Sequence, residues 1–184
     1  RRAGIKTQQI GMTDVGRRLQ VHAKSEAGHH LMLIEDTKVM VERYNQTFGG
    51  NLDAKTLMDR PLLESTQAYI DLHERVISSS APYLQVAIEF EIESLSVSVG
   101  AFVIEQYKRL LGAAHLDQIS FLTEHVEIDV GHTAFNQKLL QRLLAERPSA
   151  LPAAIETGTS VLRIYGAFLN ALMANTDDTV AAMA

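Results

Sequence analysis

One eight-residue pattern occurs twice in this chain of 184 residues: His22-Ala23-Lys24-Ser25-Glu26-Ala27-Gly28-His29, and again His125-Val126-Glu127-Ile128-Asp129-Val130-Gly131-His132. Each copy reads His, three residues, a carboxylate, a small or apolar residue, Gly, His. On a helix that advances about 100° per residue, offsets of four and seven bring three side chains within an arc of roughly 60°. Each copy is therefore expected to present imidazole, carboxylate and imidazole as one stripe. Nitrogen and carboxylate donors together suit a first-row metal such as iron, manganese or zinc. Two facing stripes carry the ligands for two ions. A lone helical His is ordinarily a surface or hydrogen-bonded core residue, and an old duplication without metal would also leave a repeat. Here, however, four of the seven histidines fall at matching positions. The glycines add weight: Gly inside a helix costs about 1 kcal/mol relative to Ala, so a close approach to the backbone is expected at Gly28 and Gly131.

Length and composition set the frame. A chain of this size fits a single domain over residues 1–184 and can bury a substantial core. With 46% apolar and 21% charged residues it has the balance of a soluble globular protein. There is no Cys, which removes disulfides, thiolate metal sites and a cysteine nucleophile. That absence fits a reducing cytoplasm. No apolar run approaches the length of a membrane span, and no signal peptide is visible. A net charge of −5 gives no electrostatic reason to expect nucleic acid. The chain opens on Arg1-Arg2-Ala3-Gly4 rather than Met, so an upstream segment is expected, and a helix there could carry further site residues.

The coarse reading is all helical. Thr13 or Asp14 is expected to cap one long helix through the first stripe to about Phe48, where Gly49-Gly50-Asn51 stops it. Pro61 opens a helix from Leu62 to Ser79. A third runs from about Pro82 to Leu111, with Ile88, Ile92, Leu95, Val99 and Phe102 on one apolar face. After a loop at Gly112-Ala113-Ala114-His115, Asp117 caps the helix of the second stripe, which ends near Arg147-Pro148. A last helix spans about Ala153 to Ala174, followed by a frayed tail. Short connections make neighbours antiparallel in a bundle.

The helix between the stripes holds Glu89, Glu91 and Glu93 in an otherwise apolar run, where burial is costly unless the carboxylates are paired or bound to metal. Glu93 is the expected metal bridge and Glu89 the reserve. Ser96 and Gly100, on the same side, would leave room for a ligand. Glu127 and Lys24 are directed to solvent, His30 lies about 100° off its stripe, and His73 and His115 read as surface residues. The tyrosines are candidates to line a pocket.

These residues resemble the heme-oxygenase-like diiron oxidase and oxygenase superfamily. His125, Asp129 and His132 match its metal helix, His-x3-Asp/Glu-x2-His. Glu93 lies at about the expected interval before it, and Glu26 and His29 fit the earlier ligand helix. His22 stands where many members carry Glu. Within the superfamily the two motifs also resemble those of a nitrile-forming diiron enzyme, with similar early and late helices. The resemblance implies an all-α, heme-oxygenase-like helical bundle of about five to seven helices. It also implies Fe(II), two ions per chain, with O2 as co-substrate.

The leading expectation is therefore a non-heme diiron, O2-dependent oxidase or oxygenase acting on a small amino acid, amine or acid. N-oxygenation, oxidative C–C cleavage, and nitrile or alkene formation remain open. Its partner is a small-molecule substrate, with no nucleic acid and no membrane, and a homodimer is compatible with the reading. The runner-up is a ferritin-like diiron carboxylate protein, since Glu26-x2-His29 and Asp129-x2-His132 resemble paired Glu-x-x-His helices. The third is a cofactor-free, thiaminase-like helical binding protein, which leaves the matched stripes unexplained.

Overall fold

The computed structural model describes residues 1–113 and 119–181, with side chains at 110, 111 and 175–181 left aside. Among these residues the regular structure is entirely helical. In chain order the helices are α1 (Arg2–Gln9), α2 (Thr13–Ser25), α3 (His29–Phe48), the single-turn α4 (Ala54–Met58), α5 (Glu64–Ser78), α6 (Gln85–Leu111), α7 (Ser120–Glu146) and α8 (Leu151–Ala181). Seven exceed one and a half turns, as the bundle reading requires. Pro82 and Pro148 each open a 3-10 turn directly before α6 and α8, where a missing N–H costs nothing. None of the described helices is long and apolar enough to cross a membrane.

Two compact units divide the chain. The first comprises Arg1–Val21, Leu62–Ile92 and Asn136–Ala184; the second comprises His22–Pro61 and Glu93–Phe135. The first holds most of the apolar core: Val15, Leu19, Leu72, Val86, Ile88, Leu139, Leu143 and Val161 are almost fully buried. Its α1 was not anticipated from sequence. There Gly4 and Gly16 face each other so closely that a Cβ on either would strike the other's carbonyl oxygen. The second unit is built differently. Its buried residues include His22, Asp36, Glu93 and Asp129, so polar groups take up much of its interior.

The largest departure from the sequence reading lies at the first repeat. No single helix runs from Thr13 to Phe48. α2 ends at Ser25, a turn occupies residues 26–28, and α3 begins at His29. Gly28 adopts φ 103°, ψ −14°, a left-handed conformation that a residue with a Cβ resists. The Ala27 N–H bonds Lys24 O at 3.3 Å, and the Leu31 N–H bonds Gly28 O at 2.8 Å, closing the turn. The second repeat, in contrast, lies wholly inside α7. One sequence pattern thus takes two backbone forms.

Several smaller expectations are corrected. A Cβ at Gly28 or Gly131 would meet nothing within 4 Å, so neither glycine admits a close neighbour; Gly28 serves the turn. Gly100 leaves no room for a ligand, because Val126 fills the space a Cβ would take. The apolar face of α6 is buried at Ile88, but Val99 is 41% and Phe102 66% exposed. α8 continues to Ala181 rather than stopping near Ala174. His115 and Asp117 lie outside the described residues.

Asp14, in the first turn of α2, accepts hydrogen bonds from Arg17 at 2.5 Å and Arg18 at 2.9 Å, with Arg142 also 2.9 Å away. These guanidiniums, Arg17 first, hold its carboxyl down at about 2 against an ordinary 3.8. A depressed carboxyl stabilises the fold above its unfolded pKa and loses that contribution as pH falls through the folded value. Asp14→Asn is expected to lower the melting temperature at neutral pH. The gap from the parent should close between about 3.8 and about 2, read by circular dichroism melts across that range. The two repeat glycines should respond oppositely to alanine in urea denaturation. Gly28→Ala, strained by its positive φ, is expected to lose about 1 kcal/mol or more. Gly131→Ala, in an open helix interior, should gain up to about 1 kcal/mol.

Candidate metal centre

The turn at residues 26–28 does more than end a helix. It lets Glu26 sit between histidines from both repeats. Glu26 Oε2 lies 2.9 Å from His29 Nδ1, and its other oxygen, Oε1, lies 2.9 Å from His132 Nδ1. A single carboxylate is thereby divided between the start of α3 and the middle of α7. His22, on the last turns of α2, places Nε2 3.1 Å from Glu93 Oε1 on α6. His132 Nδ1 also lies 3.7 Å from Glu93 Oε1 and 3.7 Å from Asp129 Oδ1.

Two sets of potential ligand atoms result, each with all members within 4.8 Å of one another. The first is His22, Glu26, Glu93 and His132; the second is Glu26, His29 and His125. Glu26 is common to both. Glu93, expected as the bridge, falls in the first set alone, and Asp129 borders that set through His132 without joining either. All seven expected residues are gathered in one unit of the fold. Glu89 is held elsewhere, by a hydrogen bond from Gln85 Nε2 at 2.6 Å. The same Gln85 nitrogen is 2.7 Å from His73 Nδ1, so His73 is a half-buried hydrogen-bonded residue rather than a surface one. His30, Lys24 and Glu127 are exposed, as their directions on the helices required.

The histidine rings are held by neighbours that sequence reasoning did not find. His125 Nδ1–H donates to the Phe121 carbonyl one turn earlier at 2.6 Å. That bond fixes the tautomer and leaves the Nε2 lone pair for a ligand role. The Phe121 ring itself lies 4.1 Å from the His125 ring, and Phe135 stacks near His22 at 6.2 Å. His29 and His125 meet edge to face at 4.5 Å, and His22 and His132 at 5.2 Å.

Asp36 anchors this arrangement. Buried at 5% exposure on α3, it accepts from Ser120 N–H at 3.0 Å, from the Ser120 hydroxyl at 3.2 Å and from Phe121 N–H at 2.7 Å. It therefore caps α7 from 84 residues away, meeting N–H groups that the helix leaves open. The chain of contacts runs from Asp36 to the Phe121 peptide and from that peptide to His125. Nothing in the spacing of Asp36 singles it out.

The donor set fits a transition metal. Imidazole nitrogens and carboxylate oxygens are the ligands iron, manganese and zinc take. Glu26 Oε1 and His132 Nδ1 are shielded from solvent and make no hydrogen bond despite their closeness. Buried polar atoms without partners are costly, and a shared cation gives both a partner. His22 and Glu93, at 4% and 6% exposure, would sit on the drier side of such an ion.

Comparison with known proteins agrees. The model of a family described as iron-containing redox enzymes matches residues 9–166, a span that includes every residue of both ligand sets. No curated protein and no solved structure matches this chain.

Replacing Asp36 tests the capping relay. Asp36→Ala is expected to cost about 1–2 kcal/mol for the lost cap. It should also weaken metal binding at the His29 and His125 set more than at the His22 set, read by metal titration of the folded variant. Equal loss at both sets would mean that Asp36 acts on stability alone.

Proposed function

Because this chain belongs to the iron-containing redox enzyme family, we propose that it is a non-heme diiron enzyme that uses O2 to oxidise a small amino acid, amine or acid. The observation that carries this reading is Glu26, whose two oxygens face histidines of the two ligand sets. In this assignment His22, Glu26, Glu93 and His132 hold one Fe(II), with Asp129 beside them. His29, His125 and the shared Glu26 hold the other. Bound ferrous iron supplies the electrons and coordination positions for O2 reduction, chemistry no side chain performs alone.

The residues of the chain do the rest. Glu26 turns one oxygen to His29 and the other to His132, and so would contribute to holding both ions. The Phe121 carbonyl, by accepting the Nδ1 proton of His125, keeps the opposite nitrogen turned to its ligand role. Phe121 packs against the His125 ring and Phe135 lies parallel to the His22 ring, holding two of the imidazoles in place. The likeness of both repeats to a nitrile-forming diiron enzyme supports an amino acid substrate. Within that class N-oxygenation, C–C cleavage and nitrile or alkene formation are the outcomes to distinguish.

Anaerobic iron titration should reach two Fe(II) per chain. His132→Ala should lose at least one ion while its helical circular dichroism is retained; an unchanged iron count in that variant would remove the assignment. On exposure to O2, uptake should be slow with iron alone and accelerate when the right substrate is present, because substrate binding favours the conformation that completes the site. Rapid iron oxidation without substrate, with growth of a mineral core, would point instead to a ferritin-like protein.

A further inference from the structure

A hollow of about 210 Å³ opens in the first unit, between the end of α5, the 3-10 turn before α6, and α8. Leu72, Val76 and Leu84, at 4%, 7% and 8% exposure, give it a fixed apolar floor. None of the residues lining it belongs to either ligand set. Arg75 on α5 and Glu156 on α8 also line it, and both are exposed. These opposite charges do not pair with each other, and neither makes an ion pair or side-chain hydrogen bond among the described residues. The acids flanking Arg75 on α5 are engaged elsewhere: Glu74 pairs with Arg2 at 2.6 Å, and Asp71 accepts from Gln67 Nε2 at 2.9 Å.

The hydroxyls of the lining decide what each charge can receive. Thr157, 8% exposed, gives its proton to Ala153 O at 2.7 Å. Ser79 gives its own to Val76 O at 2.9 Å and already accepts from the Ala81 N–H at 3.0 Å. With both protons spent on the main chain, these oxygens can only accept from a ligand. Acceptors together with the Glu156 carboxylate suit a group that carries N–H donors and positive charge, an ammonium. The Arg75 guanidinium offers donors alone, in a planar fork that matches a carboxylate. An apolar anion would leave Glu156 unanswered, and an amine would leave Arg75 unanswered. The volume is smaller than the roughly 300–1,000 Å³ of drug-sized pockets, so the site suits one amino acid rather than a peptide or a cofactor.

We infer that this hollow is a second ligand site, sharing no residue with the metal centre, for a free α-amino acid with an aliphatic side chain. Its carboxylate lies on Arg75, its ammonium on Glu156 and the Thr157 hydroxyl, and its side chain on Leu72, Val76 and Leu84, where burial of apolar surface adds affinity. The end of a polypeptide carries only one of the two charges, which favours the free amino acid over a docked terminus. The inference rests on the first unit alone and is independent of the diiron reading.

Calorimetric titration of the whole, metal-free chain with L-leucine, N-acetyl-L-leucine, L-leucinamide and glycine tests it. Leucine should bind one per chain, roughly tenfold or more tighter than either derivative, since each derivative forfeits one charge-assisted contact. Glycine, which has no side chain, should bind severalfold more weakly than leucine. Arg75 and Glu156 are exposed, so their substitution leaves the fold intact. Arg75→Met should erase the preference for leucine over leucinamide, and Glu156→Gln the preference over N-acetyl-leucine. His132→Ala should bind leucine as the parent does. Absence of leucine binding, equal affinity for leucine and both derivatives, or undiminished preferences in Arg75→Met and Glu156→Gln would overturn the assignment. Leucine binding lost in His132→Ala and kept in Arg75→Met would place the amino acid at the metal centre and overturn it equally. Because the titration uses no iron, a chain that binds no iron yet binds leucine through Arg75 and Glu156 would refute the diiron reading and leave this site standing.

Discussion

The divided carboxylate of Glu26 is the constraint on which the second unit turns. One oxygen faces His29 and the other His132, so three segments of chain must hold their relative positions for a single side chain to serve both. A continuous helix through residues 22–29 would put Glu26 on the same stripe as His22 and His29. The break at Gly28 frees it from that line and lets the start of α3 take its own direction. Burial of His22, Asp36, Glu93 and Asp129 in this unit is expensive in the absence of compensation. Capping of α7 compensates Asp36, and a pair of cations would compensate the others. The apolar core of the first unit, with Ile88, Leu139, Leu143 and Val161 sealed from solvent, carries the ordinary work of stabilisation.

Much of this was legible in the sequence, and the reasons are physical. Helical class followed from long periodic segments with Pro and Gly at their ends, and Pro82, Pro148 and Gly49 do bound helices. The candidate ligands stood out because a repeated constellation of His and carboxylate is rare by chance and suits one kind of chemistry, and the fold does gather them. The bend within the first repeat was not. Glycine at the seventh position is compatible with a helix interior, as Gly131 shows, and with a left-handed turn, as Gly28 shows. Only packing decides between them, and packing is absent from a local pattern. α1 escaped notice for a related reason: its contact with α2 depends on two glycines, Gly4 and Gly16, that carry no apolar signal.

The neighbours of the ligands were the least legible part. Asp36 reads locally as one more acid on a mixed helix, and its role appears only when Ser120 is brought beside it across 84 positions. Phe121 reads as an ordinary apolar residue four before a histidine, yet its carbonyl orients His125 and its ring lies 4.1 Å from that imidazole. Residues that position other residues leave little trace in spacing, since their partners are fixed by tertiary structure rather than by helical period.

The turn at Gly28 has a consequence for how such a centre can change over time. In α7, His125, Asp129 and His132 share one rigid rod, so any insertion between them rotates the later ligands by about 100° per residue and damages all at once. Across the turn, His22 and His29 belong to separate rods joined by a short hinge of backbone. Lengthening or shortening α3 beyond His29, or shifting its register, alters the surroundings of one histidine set without moving His22. The first repeat is in this sense modular where the second is fixed: evolution has a free parameter on one side of the centre and a template on the other.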